Sequence, residues 1–203
     1  MRNTLFTLAL AALTGAALAH PSTAEAQQGF SLELRGSLNN PVGDFGDEGG
    51  LNATSEAGLG ADLIYSTSPS FSLYGGWARE MFGCEGCADD DGIHSQGFEG
   101  GVKLLMARES GALPWIRGGL IAHELTVEDG AVEATSDMGL GFQASVGVDL
   151  PLGEVLSFTP ALRYQTYEAE FDLIGDEIVA ESTVQHLALD LGLHIHLNAL
   201  GSR

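Results

Sequence analysis

Two cysteines lie close together beside a run of acidic residues. The segment Cys84-Glu85-Gly86-Cys87 precedes Asp89-Asp90-Asp91 and His94. A thiol–disulfide catalyst needs such a pair at a helix start, where the dipole lowers a thiol pKa, and nothing here indicates a helix. A structural zinc site needs four ligands, more than this segment offers. We therefore predict a Cys84–Cys87 disulfide that closes a loop tip in an oxidising compartment, with metal binding or redox chemistry as the alternatives.

Acidic residues are concentrated in four long polar segments, 39–55, 83–94, 127–137 and 169–182, which contain no Lys or Arg. Carboxylate oxygens are the ligands that Ca²⁺ and Mg²⁺ prefer, although no EF-hand spacing is present. The densest run indicates a weak divalent-cation site at Asp89, Asp90 and Asp91. A solvated acidic surface without bound metal is the alternative.

Other chemistry is poorly supported. No nucleophile–base pair, phosphate-binding loop or dinucleotide fingerprint occurs, so we expect no enzyme activity and no cofactor apart from the cation. Net charge is −20, from 8 Lys and Arg against 28 Asp and Glu, which excludes a nucleic-acid partner on electrostatic grounds. The 203 residues correspond to one domain.

The N-terminus has the pattern of a secretory signal peptide. A basic start at Arg2 is followed by an apolar run over 5–18, and small residues around Ala19 and Ala26 offer cleavage sites. We predict a cleaved signal over 1–26 and one domain over 27–203. An uncleaved membrane anchor is the alternative, although the run is short for a membrane span.

In the rest of the chain, apolar and polar residues alternate with a period of two. Leucines at 187, 189, 191, 193 and 197, with Ile195, alternate with His186, Ala188, Asp190, Gly192, His194 and His196. This pattern, repeated at 138–150 and more weakly elsewhere, predicts eight strands at about 29–38, 56–66, 71–82, 95–106, 114–126, 138–150, 156–168 and 183–197. Connections that are alternately short and long predict an all-β, eight-stranded antiparallel up-and-down barrel.

The polar face of these strands contains both charges and glycines, whereas the other face is almost purely apolar. In a soluble barrel, the water-exposed face would be rich in Lys and Glu, and the interior would be filled by bulky apolar side chains. Glycines beside long charged side chains instead indicate a narrow polar lumen in a barrel whose outside faces lipid. Buried charges must be paired, so we predict a lumen network of Glu33, Arg35, Asp62, Glu99, Lys103, Arg117, Arg163 and Asp190.

Aromatic residues fall near both ends of the predicted strands. Two lipid–water belts are expected for a transmembrane barrel. We assign one belt to Phe30, Tyr65, Phe71, Trp115 and Phe158 at the short-turn ends. The other comprises Phe82, Phe98, Tyr167 and Phe171 at the long-loop ends.

The mature chain resembles the small outer-membrane β-barrel proteins of the OmpA/OmpX type. The resemblance rests on the signal peptide, the segment from Asn40 to Phe45 after the first strand and the segment Leu113-Pro114-Trp115-Ile116-Arg117-Gly118-Gly119. The last strand departs from it, because family members often end in an aromatic residue and this one ends at Leu197. The resemblance implies a monomer in contact with outer-membrane lipid and leaves any surface ligand open.

The function expected from this pattern is an outer-membrane barrel with a structural or surface-interaction role. A narrow, porin-like channel or transporter for small solutes or cations is one alternative. A soluble, secreted calycin-like barrel that binds a ligand is the other.

Calcium binding to the acidic loops is testable directly. Millimolar Ca²⁺ should raise the melting temperature of the folded protein by mass action, because it relieves repulsion among the carboxylates. Replacing Asp89, Asp90 and Asp91 with Asn should reduce that shift, measured by calorimetry. Absence of both a binding heat and a melting shift would leave only a solvated acidic surface.

Overall fold

The computed structural model describes residues 29–46, 52–84, 92–106, 111–129, 132–172 and 178–200. Nine β-strands account for most of this part of the chain. They are β1 (Gly29–Pro41), β2 (Ala53–Ser68), β3 (Phe71–Cys84), β4 (Ile93–Leu105), β5 (Leu113–Asp129), β6 (Val132–Thr135), β7 (Gly139–Pro151), β8 (Leu156–Asp172) and β9 (Ile178–His196).

The strands form a closed, all-antiparallel barrel of eight strand positions. Each long strand pairs with its neighbours in the chain, β4 pairs with β5, and β1 pairs with β9 to close the ring. The short β6 pairs with the last residues of β5, from Thr126 to Asp129. The chain then enters β7, which pairs with β5 from Leu113 to His123 and is its neighbour in the barrel. The predicted eight-stranded antiparallel barrel is therefore confirmed.

Several strands are longer than the period-two pattern predicted. The hairpin of β8 and β9 stays paired out to Asp172 and Ile178, well beyond the predicted limits at 168 and 183. At its other end, β9 stops at His196 and the chain turns into a one-turn helix, α1 (Leu197–Leu200). A 3-10 turn over Gly43–Phe45 follows β1. Within the described residues, no helix is long and apolar enough to cross a membrane.

The two faces of the strands have the predicted orientation. On β9, Leu187, Leu189, Leu191 and Leu193 are exposed, whereas Ala188 and Asp190 between them are buried. The leucine row therefore lies on the outside of the barrel and not in a dry protein core. This finding contradicts the soluble, calycin-like alternative, in which the apolar face would point inward.

Glycines on the inner face leave room for large side chains beside them. A Cβ on Gly101 would lie 2.2 Å from the Gly118 carbonyl oxygen and 2.9 Å from the Tyr74 hydroxyl. On the outer face, a Cβ on Gly75 would have its nearest neighbour at 3.8 Å. The inner glycine is therefore required by close approach of the neighbouring strand, and the outer one is not.

This contrast predicts different tolerance to the same substitution. Gly101→Ala should destabilise the barrel by about 1–3 kcal/mol, the usual cost of overpacking, because the conflicting atoms belong mainly to backbone. Gly75→Ala on the outer face is the matched control and should have little effect. Urea unfolding in detergent micelles measures both, and equal midpoints for the two variants would contradict the close approach.

Candidate functional site

The barrel interior contains the charged side chains that the sequence singled out. Six carboxylates and four cations are buried there, each no more than 7% exposed. The carboxylates are Glu33, Asp62, Glu80, Glu99, Asp149 and Asp190, and the cations are Arg35, Lys103, Arg117 and Arg163. They come from all eight strand positions at alternate residues, so the period-two pattern brings them together.

Arg117 lies at the centre of this network. Its Nη2 is 2.6 Å from Asp62 Oδ2 and 3.3 Å from Glu99 Oε1, and its Nη1 is 3.1 Å from Glu33 Oε1. The guanidinium also stacks over the Tyr74 ring, with Cζ 3.5 Å from the centroid. The planar guanidinium group has five hydrogen-bond donors and can therefore bridge carboxylates on several strands, whereas the ammonium group of lysine cannot.

Arg35 joins the same cluster from β1. Its Nη2 is 2.8 Å from Glu99 Oε1, and its Nη1 donates to Asp62. Two guanidinium groups therefore share two carboxylates from β2 and β4. Asp62 accepts charge-assisted hydrogen bonds from both guanidinium groups, and Glu99 accepts one from Arg117 and is ion-paired with Arg35. These contacts cross-link the barrel through its interior.

Lys103 forms a second group toward the short-turn end. Its Nζ lies 3.0 Å from one Asp149 oxygen and 3.1 Å from the other, and 4.5 Å from the Trp115 ring centroid. Trp115 donates from Nε1 to Asp149 at 2.8 Å. Asp149 is also 3.8 Å from His194 Nδ1.

Arg163 forms a third group on the long-loop side. Its Nε and Nη2 contact the two oxygens of Asp190 at 2.8 and 3.0 Å in a bidentate pair. Nη2 also lies 2.8 Å from Glu80 Oε1, and Ser37 donates to the other Glu80 oxygen at 2.9 Å. The structure thus brings together all eight predicted members of the lumen network and adds Glu80 and Asp149, two inward acids outside that set.

Neutral polar side chains fill the spaces between the charged groups. Gln165 donates to Gln143, which donates to the Tyr74 hydroxyl, at 3.2 and 3.0 Å. The Tyr167 hydroxyl donates to Ser95 at 2.7 Å. These residues were not among the predicted members of the network, although they share the inward parity of the charged ones.

An apolar cluster occupies the interior at the long-loop end. It comprises Phe45, Ala53, Phe82, Ile93, Ile121, Leu125, Tyr167, Ala169, Phe171 and Val184. Phe45 comes from the 3-10 turn after β1, is fully buried, and packs edge-on against Phe82 with ring centroids 5.0 Å apart. The chain after β1 therefore folds inward over the end of the lumen.

At the level of the apolar cluster, the inner face of the strands changes from polar to apolar and the outer face changes from apolar to polar. On β8, the inner face changes from Arg163 and Gln165 to Ala169 and Phe171, while the outer face changes from leucine to the exposed Glu168 and Glu170. Comparable changes occur near residue 123 on β5 and residue 186 on β9. Below this level the barrel is apolar outside, and above it the packing is that of a water-soluble protein.

The predicted aromatic belts are wrong for four residues. Phe82, Tyr167 and Phe171 point into the apolar cluster, and Trp115 points inward at Asp149. Phe30, Tyr65 and Phe98 are exposed on the outside as predicted. The four inward rings share the parity of the buried charges, and that parity was the signal that could have placed them.

Most residues of the predicted loop sites lie outside the described residues. Asp89, Asp90 and Asp91 lie there, and so does Cys87. Cys84 ends β3 and is disulfide-bonded, while its pairing with Cys87 stays a prediction. In the described part of the chain, no three His, Cys, Asp or Glu residues are grouped as metal ligands.

Solved structures show what this architecture is similar to. Neisserial surface protein A superposes with a TM-score of 0.61 at 13% identity, over 83% of this chain and 97% of that one. The outer-membrane protein OprG from Pseudomonas aeruginosa gives 0.56 at 15% identity, over 84% and 97%. The E. coli outer-membrane protein W gives 0.51 at 14% identity, over 84% and 100%.

The chain has the fold of the small outer-membrane β-barrels. Its sequence matches no family model and no curated protein. At these identities the similarity establishes architecture alone.

The ion-pair network predicts strong dependence on Arg117. Arg117→Met should destabilise the barrel by about 3–5 kcal/mol, because it leaves buried carboxylates without their shared cation. Adding Asp62→Asn and Glu33→Gln to that variant should recover part of the loss, since fewer unpaired charges remain. Denaturant unfolding of the variants measures this coupling, and purely additive losses would contradict it.

Proposed function

We propose that this protein is an exported outer-membrane barrel with a closed lumen and a structural or surface-interaction role. One observation carries the proposal: the interior is occupied by paired charges and an apolar cluster, while the outside is a continuous leucine-rich band. A polar inside with an apolar outside is stable in lipid and unstable in water.

The height of the apolar band supports placement in a membrane. On β9, outward apolar residues run from Leu187 to Ile195 and give way to the polar Gln185 and Thr183. Eight residue steps at about 3.4 Å each, in a strand tilted by about 40°, span roughly 21 Å. Leu197, directly after the strand, extends this surface toward the apolar band of about 25 Å in transmembrane barrels.

The direction of insertion follows from the chain ends. The start of β1 pairs with the end of β9, Ser31 opposite His196, so both ends of the described barrel lie on the short-turn side. A chain exported by the signal segment at 1–26 would leave that side in the periplasm. The long acidic segments would then face the exterior.

A lumen of this kind does not favour passage of solutes. Eight strands enclose an interior that side chains can fill, and here Arg35, Arg117 and Arg163 reach across it to carboxylates on other strands. Phe45 and Phe82 cover the long-loop end. We therefore assign no transport role and no enzyme activity to the lumen, and expect the exposed loops to carry the interactions.

A narrow cation channel is the second candidate. The observation that favours it is the excess of buried carboxylates, six against four cations in the described interior, which would attract cations electrostatically. This candidate requires the ion pairs and the Phe45 cluster to separate.

Membrane placement predicts a depth-dependent cost of charge on β9. Leu191→Arg, in the middle of the apolar band, should destabilise the folded barrel in lipid by about 2–4 kcal/mol. Thr183→Arg, on the same face of the same strand but beyond the band, is the matched control and should cost under about 1 kcal/mol. Refolding into vesicles over a denaturant series compares them, and equal costs would contradict the placement.

Planar-bilayer recording tests the closed lumen. The wild-type protein should give no steady unitary current. A variant with Arg163 and Asp190 changed to Ser, Glu80 changed to Gln and Phe45 changed to Ala should conduct, because it removes one whole ion-pair group without leaving Glu80 unpaired, and removes the apolar cover as well. A steady, cation-selective current from the wild-type protein would contradict the closed lumen and establish the channel.

A further inference from the structure

One cation of the described chain stands apart from the network. Of the five Lys and Arg residues that the structure describes, four are buried in the lumen and ion-paired. Arg79 is the fifth and lies on the outer face of β3. No carboxylate among the described residues lies within 4.0 Å of it, and its buried Nε has no hydrogen-bond partner.

The neighbours of Arg79 place it at the edge of the apolar band. Across the sheet it pairs with Gln96 of β4, which in turn pairs with Glu124 of β5. Gln96 donates to Glu124 at 2.7 Å. The carboxylate is therefore engaged by the intervening amide, and two strand spacings, about 10 Å, separate the Arg79 and Glu124 backbones.

The next outward row below Arg79 is apolar. It consists of Trp77, Phe98 and Ala122 in register, and Phe98 is 66% exposed. In its own row Arg79 also faces the exposed Leu59 of β2. Above it, the outer face carries Met81 on β3 beside the polar His94 of β4, and the exposed Glu128 lies further up on β5. Arg79 thus lies near the end of the apolar surface, with exposed aromatic surface on one side and increasingly polar residues on the other.

We propose that Arg79 binds the phosphate of a membrane lipid in the leaflet on the long-loop side, with the acyl chains lying along the outer face of β3 to β5. The inference rests on the proposed membrane location. Charge complementarity selects this ligand: an unpaired guanidinium fits phosphate through two parallel hydrogen bonds. An anionic headgroup with attached acyl chains matches both the cation and the apolar surface beneath it.

The acidic character of the chain strengthens this assignment. Glu124, Glu128 and Glu168 on the outer face repel an anionic headgroup elsewhere on this rim, so the phosphate has one favourable position. Removing the Glu124 charge should strengthen lipid binding, whereas removing the Arg79 charge should weaken it. General adhesion would respond equally to Glu124→Gln and to Glu168→Gln on β8, which lies across the barrel from β3, whereas a specific site at Arg79 responds more to Glu124→Gln.

Native mass spectrometry of the folded full chain, released from detergent and titrated with phosphatidylglycerol, tests the site. The wild-type protein should retain one lipid with an apparent affinity about fivefold higher than Arg79→Gln, the effect of about 1 kcal/mol for one basic residue at a membrane surface. Glu124→Gln should bind more tightly than wild type. Thr166→Ala, on the outer face of β8, is the control and should match wild type.

The outcomes separate this inference from the membrane location. Insertion into phosphatidylcholine vesicles is measured on the same samples by the gel mobility of the folded form. A barrel that inserts, with Arg79→Gln and wild type retaining phosphatidylglycerol equally, overturns the Arg79 site and leaves the membrane location intact. A barrel that does not insert overturns both. A loss of binding confined to Arg79→Gln supports the site.

Discussion

Pairing of buried charge is the constraint on which the rest of this structure depends. Ten ionised side chains lie inside a barrel too narrow to hydrate them in bulk, and an unpaired charge there costs several kcal/mol. Arg117 and Arg163 meet this constraint by bridging carboxylates on different strands. The register of each strand is thereby coupled to the interior, because a shift of one residue would move the charged groups of that strand to the outside.

The same constraint explains the composition of the inner face. Guanidinium groups and carboxylates need space beside them, and the inward glycines supply it where neighbouring strands approach closely, as at Gly101. Where the charges end, near residue 123 on β5 and 186 on β9, the interior becomes apolar and the exterior becomes polar. With the proposed membrane placement, the solvent outside the barrel changes from lipid to water at that level. The interior is then charged and paired where the outside faces lipid, and apolar where the outside faces water.

Much of this could be predicted from the period-two pattern. The fold, the outward leucine row of β9 and the inward position of Arg35, Arg117 and Arg163 follow from parity alone. The partners did not follow, because the pairing of Arg163 on β8 with Glu80 on β3 depends on which strands lie opposite one another across the lumen. The predicted aromatic belts were wrong for Phe82, Tyr167 and Phe171. That prediction used the position of each ring along its strand and not the face of the strand on which the ring lies. The extension of β8 and β9 beyond the predicted limits was not predicted from the sequence. The outward residues of this extension are acidic and therefore resemble a loop, although the apolar Ala169 and Phe171 alternate with them on the inner face.

The exchange of faces along β8 and β9 can be measured residue by residue. Nitroxide labels on single cysteines, in a background where Cys84 and Cys87 are Ser, would be placed at outward positions 183, 185, 187, 189, 191 and 193 of the protein in lipid vesicles. Collision with dissolved oxygen should dominate at 187 to 193, and collision with a water-soluble nickel complex should dominate at 183 and 185. Uniform nickel accessibility along the whole row would contradict the central claim that the apolar band lies in lipid and ends where the lumen becomes apolar.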